Sequence, residues 1–112
     1  MRKVILDTSF IMTAVKQKID FFEKLEHEGF YIMVPKQVIR ELKGLGNKLS
    51  LKIMEKNKFE IIEIEGKDAD NAIISFAKKN PRAVVATLDA DLKKKIKNSK
   101  MVIRQKKRLE VI

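Results

Sequence analysis

Asp70 stands where a hydrophobic residue would be expected. In the stretch Asp68–Ala77, "DADNAIISFA", a helix turning about 100° per residue spreads Ala69, Ala72, Ile73, Ile74, Phe76 and Ala77 over one apolar arc. Asp70 falls inside that arc, between Ala77 and Ile74, and Asp68 falls outside it. Carboxylates are almost never fully buried unless they are paired or bound to a metal. Three more acids raise the same question. Asp7 ends the apolar run "KVIL", Asp89 follows "AVVAT" after Leu88, and Glu41 lies at the edge of the stripe Val38, Leu42 and Leu45. Singly, each has a structural explanation. Asp7 and Asp89 suit helix N-caps, Glu41 can reach water, and Asp70 suits the first turn of a helix, where negative charge is favoured. Together they suggest a site, because gathered carboxylates repel and need a compensating charge. Oxygen donors without His or Cys favour a hard cation, Mg²⁺ or Mn²⁺.

Such a site fits phosphodiester hydrolysis. A bound cation polarises a phosphoryl oxygen and lowers the pKa of a bound water; in-line attack then leaves a 5′-phosphate and a 3′-hydroxyl. The net charge of +10, from 25 basic and 15 acidic side chains, predicts attraction to polyanions such as nucleic acid. A Lys/Glu-rich surface of the thermophile kind is the plainer explanation, but it does not require so large an excess of one sign. Candidate backbone-binding residues are Lys43, the run Lys93, Lys94, Lys95 and Lys97, and the cluster Arg104, Lys106, Lys107 and Arg108. Charge runs are otherwise solvated helix faces. The aromatics, six Phe and one Tyr, offer no stacking platform, so base-specific reading is not expected. The one histidine, His27 in "LEHEGF", is far from the acids in the pattern and gives a cyclising, His-dependent mechanism no support. No phosphate-binding glycine loop is present either.

Those acids need elements to hold them. At 112 residues the chain is one domain's length, 1–112, with no linker or repeat. With 45% hydrophobic and 36% charged residues it reads as globular and soluble. The absence of Cys excludes disulfides and thiolate sites. No apolar run approaches the 18 or so residues of a membrane span, and Asp7 interrupts the start too early for a signal peptide; a cytoplasmic protein is expected. Short β-branched runs predict strands at "KVILD", "FYIMV", "FEIIEI", "AVVAT" and "MVIR". Helices are expected over Phe10–Glu28 (one or two), Lys36–Leu45, Lys48–Lys56, Asp68–Lys79 and Ala90–Lys97. The ending "RLEVI" suits an edge strand or a tail. Alternation of strands and helices implies α/β architecture with a mostly parallel sheet covered on both faces. Ligands of such sheets bind beyond the carboxyl ends of the strands, where all four acids would meet.

The ordered motifs "VILDTSFIM", "VPKQVIRELKGL", "DNAIISFA" and "VVATLDADLKKKIK" resemble PIN domains over essentially the full length. The resemblance implies a three-layer α/β/α sandwich and a Mg²⁺- or Mn²⁺-dependent ribonuclease, often a homodimer. It makes Asp7, Glu41, Asp70 and Asp89 the metal cluster, Asp91 an auxiliary acid, and Thr87 and Thr8 supporting hydroxyls. Two branches are open: VapC-type toxins restrained by an antitoxin, and rRNA-processing proteins related to Fcf with pre-ribosomal partners. The basic ending resembles the second more closely. Aspartyl-phosphate enzymes fail at the first strand, where receiver domains need an acidic pair before the phosphorylated strand end and dehalogenase-type enzymes need D-x-D. A non-catalytic RNA-binding scaffold of the same fold is the alternative.

Overall fold

The apolar runs become strands and the amphipathic ones become helices. The computed structural model describes residues 2–105 and 107–112. Its elements are β1 (Arg2–Leu6), α1 (Thr8–Lys16), α2 (Phe21–His27), β2 (Phe30–Pro35), α3 (Lys36–Gly44), α4 (Lys48–Glu55), β3 (Glu60–Ile62), α5 (Ala69–Lys79), β4 (Val84–Ala86), α6 (Ala90–Lys95), β5 (Lys100–Arg104) and β6 (Arg108–Val111). The strands form one sheet in the order β3-β2-β1-β4-β5-β6. All neighbours are parallel except β5 and β6.

That order has a functional consequence. After β1 the chain builds outward on one side through β2 and β3, then returns to the other side of β1 for β4 and β5. The reversal falls between β1 and β4, and open α/β sheets bind ligands beyond the carboxyl ends of the strands at such a point. Successive strand residues point to opposite faces, and Val4, Ile5, Leu6, Val84, Val85 and Ala86 are all fully buried. Helices therefore cover both faces of the central strands, giving the expected three-layer sandwich. Phe10, Phe21 and Phe22 reinforce one part of the core, with an edge-to-face contact of 6.0 Å between the first two rings.

The structure settles several points that the pattern left open or misjudged. The span Phe10–Glu28 is two helices, and the first begins earlier, at Thr8. They part at Lys18, whose φ of 59° is left-handed, and Asp20 then caps α2 by accepting from the Glu23 N–H at 3.1 Å. "RLEVI" contributes an antiparallel edge strand, with Met101 opposite Val111. The last helix ends at Lys95 rather than Lys97, and β3 is shorter than "FEIIEI". Among the described residues no helix is long and apolar enough to cross a membrane.

Ser50, on α4, is fully buried and its hydroxyl has no hydrogen-bond partner. An unsatisfied buried hydroxyl is destabilising. Ser50→Ala is expected to raise unfolding stability by about 1 kcal/mol, measured by urea denaturation; a loss of stability would show that the hydroxyl has a partner in solution.

Candidate active site

Asp7 follows β1 directly. Its backbone N–H donates to the carbonyl of Ala86 at 2.9 Å, continuing the β1–β4 ladder by one residue. It occupies the N-cap position of α1 but its side chain caps nothing. Instead the carboxylate is buried, and one oxygen, Oδ2, accepts from Thr87 Oγ1 at 2.7 Å and from Ser9 Oγ at 3.0 Å. Both hydroxyls accept in turn, Thr87 from the Asp89 N–H at 3.1 Å and Ser9 from the Leu88 N–H at 3.1 Å. Each hydroxyl has a single proton to give, so with both given to Asp7 the 3.3 Å separation of Ser9 and Thr87 is proximity rather than a further bond. The other oxygen, Oδ1, accepts no hydrogen bond among the described residues and is not sealed from solvent.

The remaining acids come from three further strand-helix units. Asp89 caps α6, its Oδ1 accepting from the N–H groups of Asp91 (2.9 Å) and Leu92 (3.3 Å). Asp68, rather than Asp70, caps α5, accepting from the Asn71 N–H at 2.9 Å. Asp70 is thereby free of a capping role. It lies on the stripe of buried Ile73 and Ala77, at the sheet's end where that stripe runs out of core. Glu41 sits on α3, exposed as a residue, yet its carboxyl is partly withdrawn from water.

The acids respond to one another. Burial first, then the charges of Asp7 and Asp70, hold the Glu41 carboxyl above the usual range. Burial, then the charges of Asp7 and Asp89, do the same for Asp70, while Lys95 opposes the rise. Asp7 and Asp70 thus stand in the middle, with Glu41 and Asp89 flanking. Among the described residues no three acids or histidines converge tightly enough to cage an ion unaided. A hard cation such as Mg²⁺ keeps several waters and takes one or two carboxylates plus substrate phosphates. The oxygen-only donors fit, as do the unpaired Asp7 Oδ1 and the buried, unpartnered Thr8 Oγ1. The Thr8 hydroxyl faces Glu41 from outside bonding geometry and slightly favours its ionised form.

Residues 4–108 match the family described as "PIN like domain". The chain belongs to that family. A ribonuclease, VapC4 of Methanocaldococcus jannaschii, is 32% identical over 127 residues, covering 99% of this chain and 97% of that protein. The rRNA-processing protein fcf1 of Schizosaccharomyces pombe is 34% identical over 101 residues, which cover 84% of this chain and 53% of fcf1. The solved structure of the PIN domain endonuclease Utp24 superposes with a TM-score of 0.85 and 30% identity, over 98% of this chain and 92% of that one. The span matched to the PIN-like family contains all four acids.

Not every expected site residue lies near them. Asp91 is exposed on the first turn of α6. Thr87 supports Asp7, but Ser9 supplies the second hydroxyl in place of Thr8. Lys43 is two residues and about 200° round α3 from Glu41, and it lines a groove beside β3 with Lys36, Ile39 and Glu63; it is not beside the acids. Lys93 is half-buried, Lys94, Lys95, Lys97 and Lys107 are exposed, and Lys106 lies outside the described residues. Arg104 and Arg108, opposite each other on β5 and β6, share Glu110 at 3.9 and 3.1 Å. Because β5 is parallel to β4, Arg104 does reach the acidic end of the sheet.

Sequence reasoning also missed the clamp that aims Asp70. Gln37, buried on the first turn of α3, donates through Nε2 to the carbonyls of Ile64 and Gly66, both at 2.8 Å. It thereby ties down the loop between β3 and α5. Gly66 has a φ of +151°, and an added Cβ would collide with the Ala72 backbone nitrogen and lie 2.8 Å from its Cα. Only glycine lets this loop press against α5.

Two outcomes follow from this geometry. Gly66→Ala should cost roughly 1–3 kcal/mol of stability in denaturant unfolding, and a variant as stable as the parent would exclude the clash. Glu41 and Asp70 bind protons more tightly folded than unfolded. Their contribution is thus full at acidic pH and is lost as pH rises from the ordinary carboxylate value, about 4, through the raised ones. In EDTA, Glu41→Gln and Asp70→Asn should therefore melt above the parent at pH 7, with the gap shrinking toward pH 4. A parent that melts higher at pH 7 would contradict the mutual repulsion.

Proposed function

We propose that this PIN-like domain is a Mg²⁺- or Mn²⁺-dependent endoribonuclease acting through Asp7, Glu41, Asp70 and Asp89. The observation that supports the reading is that Asp7, Glu41, Asp70 and Asp89, from four strand-helix units, lie near enough for Glu41 and Asp70 to feel the charge of their neighbours, in a chain of net charge +10. The names of the relatives, a ribonuclease, an rRNA-processing protein and a PIN domain endonuclease, support RNA as substrate.

Asp7 presents Oδ1 outward because Thr87 and Ser9 hold Oδ2. Asp70 faces the same place because Asp68 takes the capping duty. Asp89 commits one oxygen to the start of α6 and offers the other. When bound, the cation supplies a polarised phosphoryl oxygen and a water of lowered pKa. Glu41, exposed at the flank, would accept the proton of the attacking water. The bond from phosphorus to the 3′-oxygen would break as that oxygen takes a proton from solvent, giving a 5′-phosphate and a 3′-hydroxyl. Lys95, beside Asp70, meets the phosphate backbone and offsets the crowded negative charge. An antitoxin partner accompanies the VapC-type role, and a pre-ribosomal partner the rRNA-processing one.

The test is cleavage of labelled single-stranded and structured RNAs with Mn²⁺, Mg²⁺ or EDTA. Cutting should need the metal, leave 5′-phosphates, and disappear in Asp7→Asn and Asp70→Asn. Thr87→Val and Ser9→Ala should lower the rate by about 10–100-fold, the usual cost of removing a group that orients a metal ligand. RNA that is bound but never cut, under any metal, would make the chain a non-catalytic RNA-binding scaffold.

A further inference from the structure

Positive charge on this molecule is not confined to the surroundings of the acids. No acidic residue occurs from Asn71 to Leu88, nor from Leu92 to Leu109. The basic residues of these stretches continue away from the site. At the opposite end of the sheet, where β1 begins and α5 has ended, Arg2, Lys3, Lys79 and Arg82 line a groove of about 470 Å³ with Asn80, Pro81 and Ala83. A second groove, of about 290 Å³, shares Pro81 with the first and adds Lys78, Lys95 and Lys97. Lys95 links this surface to the site, since it ends α6, the helix that Asp89 caps and that packs on α5. None of these seven cations forms an ion pair among the described residues. The path from Asp70 to Lys79 follows α5, roughly 14 Å at about 1.5 Å per residue.

Part of this charge has a local explanation. Lys78 and Lys79 lie in the last turn of α5 and Lys95 in that of α6, where the helix dipole favours cations. Arg2, Lys3, Arg82 and Lys97 are not on helices and gain nothing from a dipole. Cations left together without counter-charges repel, so their arrangement around two adjoining grooves fits a polyanion better than it fits stability.

We propose that these grooves form a second RNA-contact zone, along which the strand leaving the cleavage site runs over the α5–α6 face to an anchor at Lys79, Arg82, Arg2 and Lys3. The zone takes sugar-phosphate backbone of any sequence, since it is cationic and carries no exposed aromatic ring among its lining residues. The inference rests on the ribonuclease reading for its substrate but not for its geometry.

The experiment compares the full chain with the double variant Lys79→Gln/Arg82→Gln and with a control pair on α4, Lys52→Gln/Lys56→Gln. Binding of fluorescent single-stranded RNAs of increasing length is measured in EDTA across a salt series, beside cleavage of the shortest RNA with Mn²⁺. All four substituted residues are exposed, and matching melting temperatures verify folding. For the groove variant, affinity for long RNA should drop, and the slope of log K against log salt should flatten by about 0.7 per lost phosphate contact. Short RNA should be bound and cut as by the parent, and the control pair should behave like the parent. Equal losses in both pairs would reduce the effect to net charge and overturn the zone. So would unchanged binding of long RNA, which would leave the grooves to another acidic partner. Loss of long-RNA affinity in a chain that cuts nothing would sink the nuclease reading and leave the zone standing.

Discussion

The carboxylate of Asp7 is the group on which the site depends. It is buried at the point where the sheet reverses direction, and a buried carboxylate is tolerable only with its lone pairs satisfied or its charge compensated. The chain meets half of that demand itself. Thr87 and Ser9 bond one oxygen, and through their own acceptor positions they take the N–H groups of Asp89 and Leu88. A single small network therefore holds the end of β1, the first turn of α1 and the loop from β4 to α6 in one arrangement. The other half, the outward oxygen, is where a ligand would be felt.

The rest of the acidic end follows from a division of labour among aspartates. Asp68 and Asp89 each bond helix N–H groups, stiffening the starts of α5 and α6. Asp70 and Glu41 bond no such group, and each is raised by burial and by its neighbours' charge. Asp68 and Asp89 thus hold the frame, while Asp70 and Glu41 keep their carboxyls free of any capping bond. The Gln37 clamp and the close approach of Gly66 to α5 extend the frame to the loop that delivers Asp70. Local discomfort of this kind, in a domain otherwise well packed, is what a functional site looks like in energetic terms.

The charge map extends this asymmetry over the molecule. Among residues 69–100, the acids Asp70, Asp89 and Asp91 lie at the starts of α5 and α6, and the basic residues lie further along the helices and beyond them. Negative charge would repel a phosphate near the acids unless a cation compensated it, whereas a phosphate further along α5 would meet only positive charge. On the proposed reading, binding and cleavage would fall to neighbouring surfaces.

Five of the six strands and the helices in outline were legible in the residues, because burial on both faces leaves apolar runs and amphipathic helices leave a periodic stripe. The misfit of Asp70 was legible for the same reason: a charge inside a stripe contradicts the periodicity that surrounds it. The break at Lys18 was not, since lysine carries none of the signal that glycine or proline would at a left-handed position. Nor was β6, whose pairing depends on β5 being the open edge of the sheet. Ser9 went unseen beside Thr8 because neighbouring residues on a helix point about 100° apart, and only the position of β4 decides which hydroxyl meets Asp7. Lys43 lies away from Glu41 for the corresponding reason, adjacency in sequence being separation around α3. By itself the sequence determined the fold class and singled out the four acids as candidates, since periodicity and residue chemistry are local properties. Which oxygen is bonded, which aspartate caps, and which cations share a surface were decided only by tertiary structure, since these depend on distances between segments far apart in the chain.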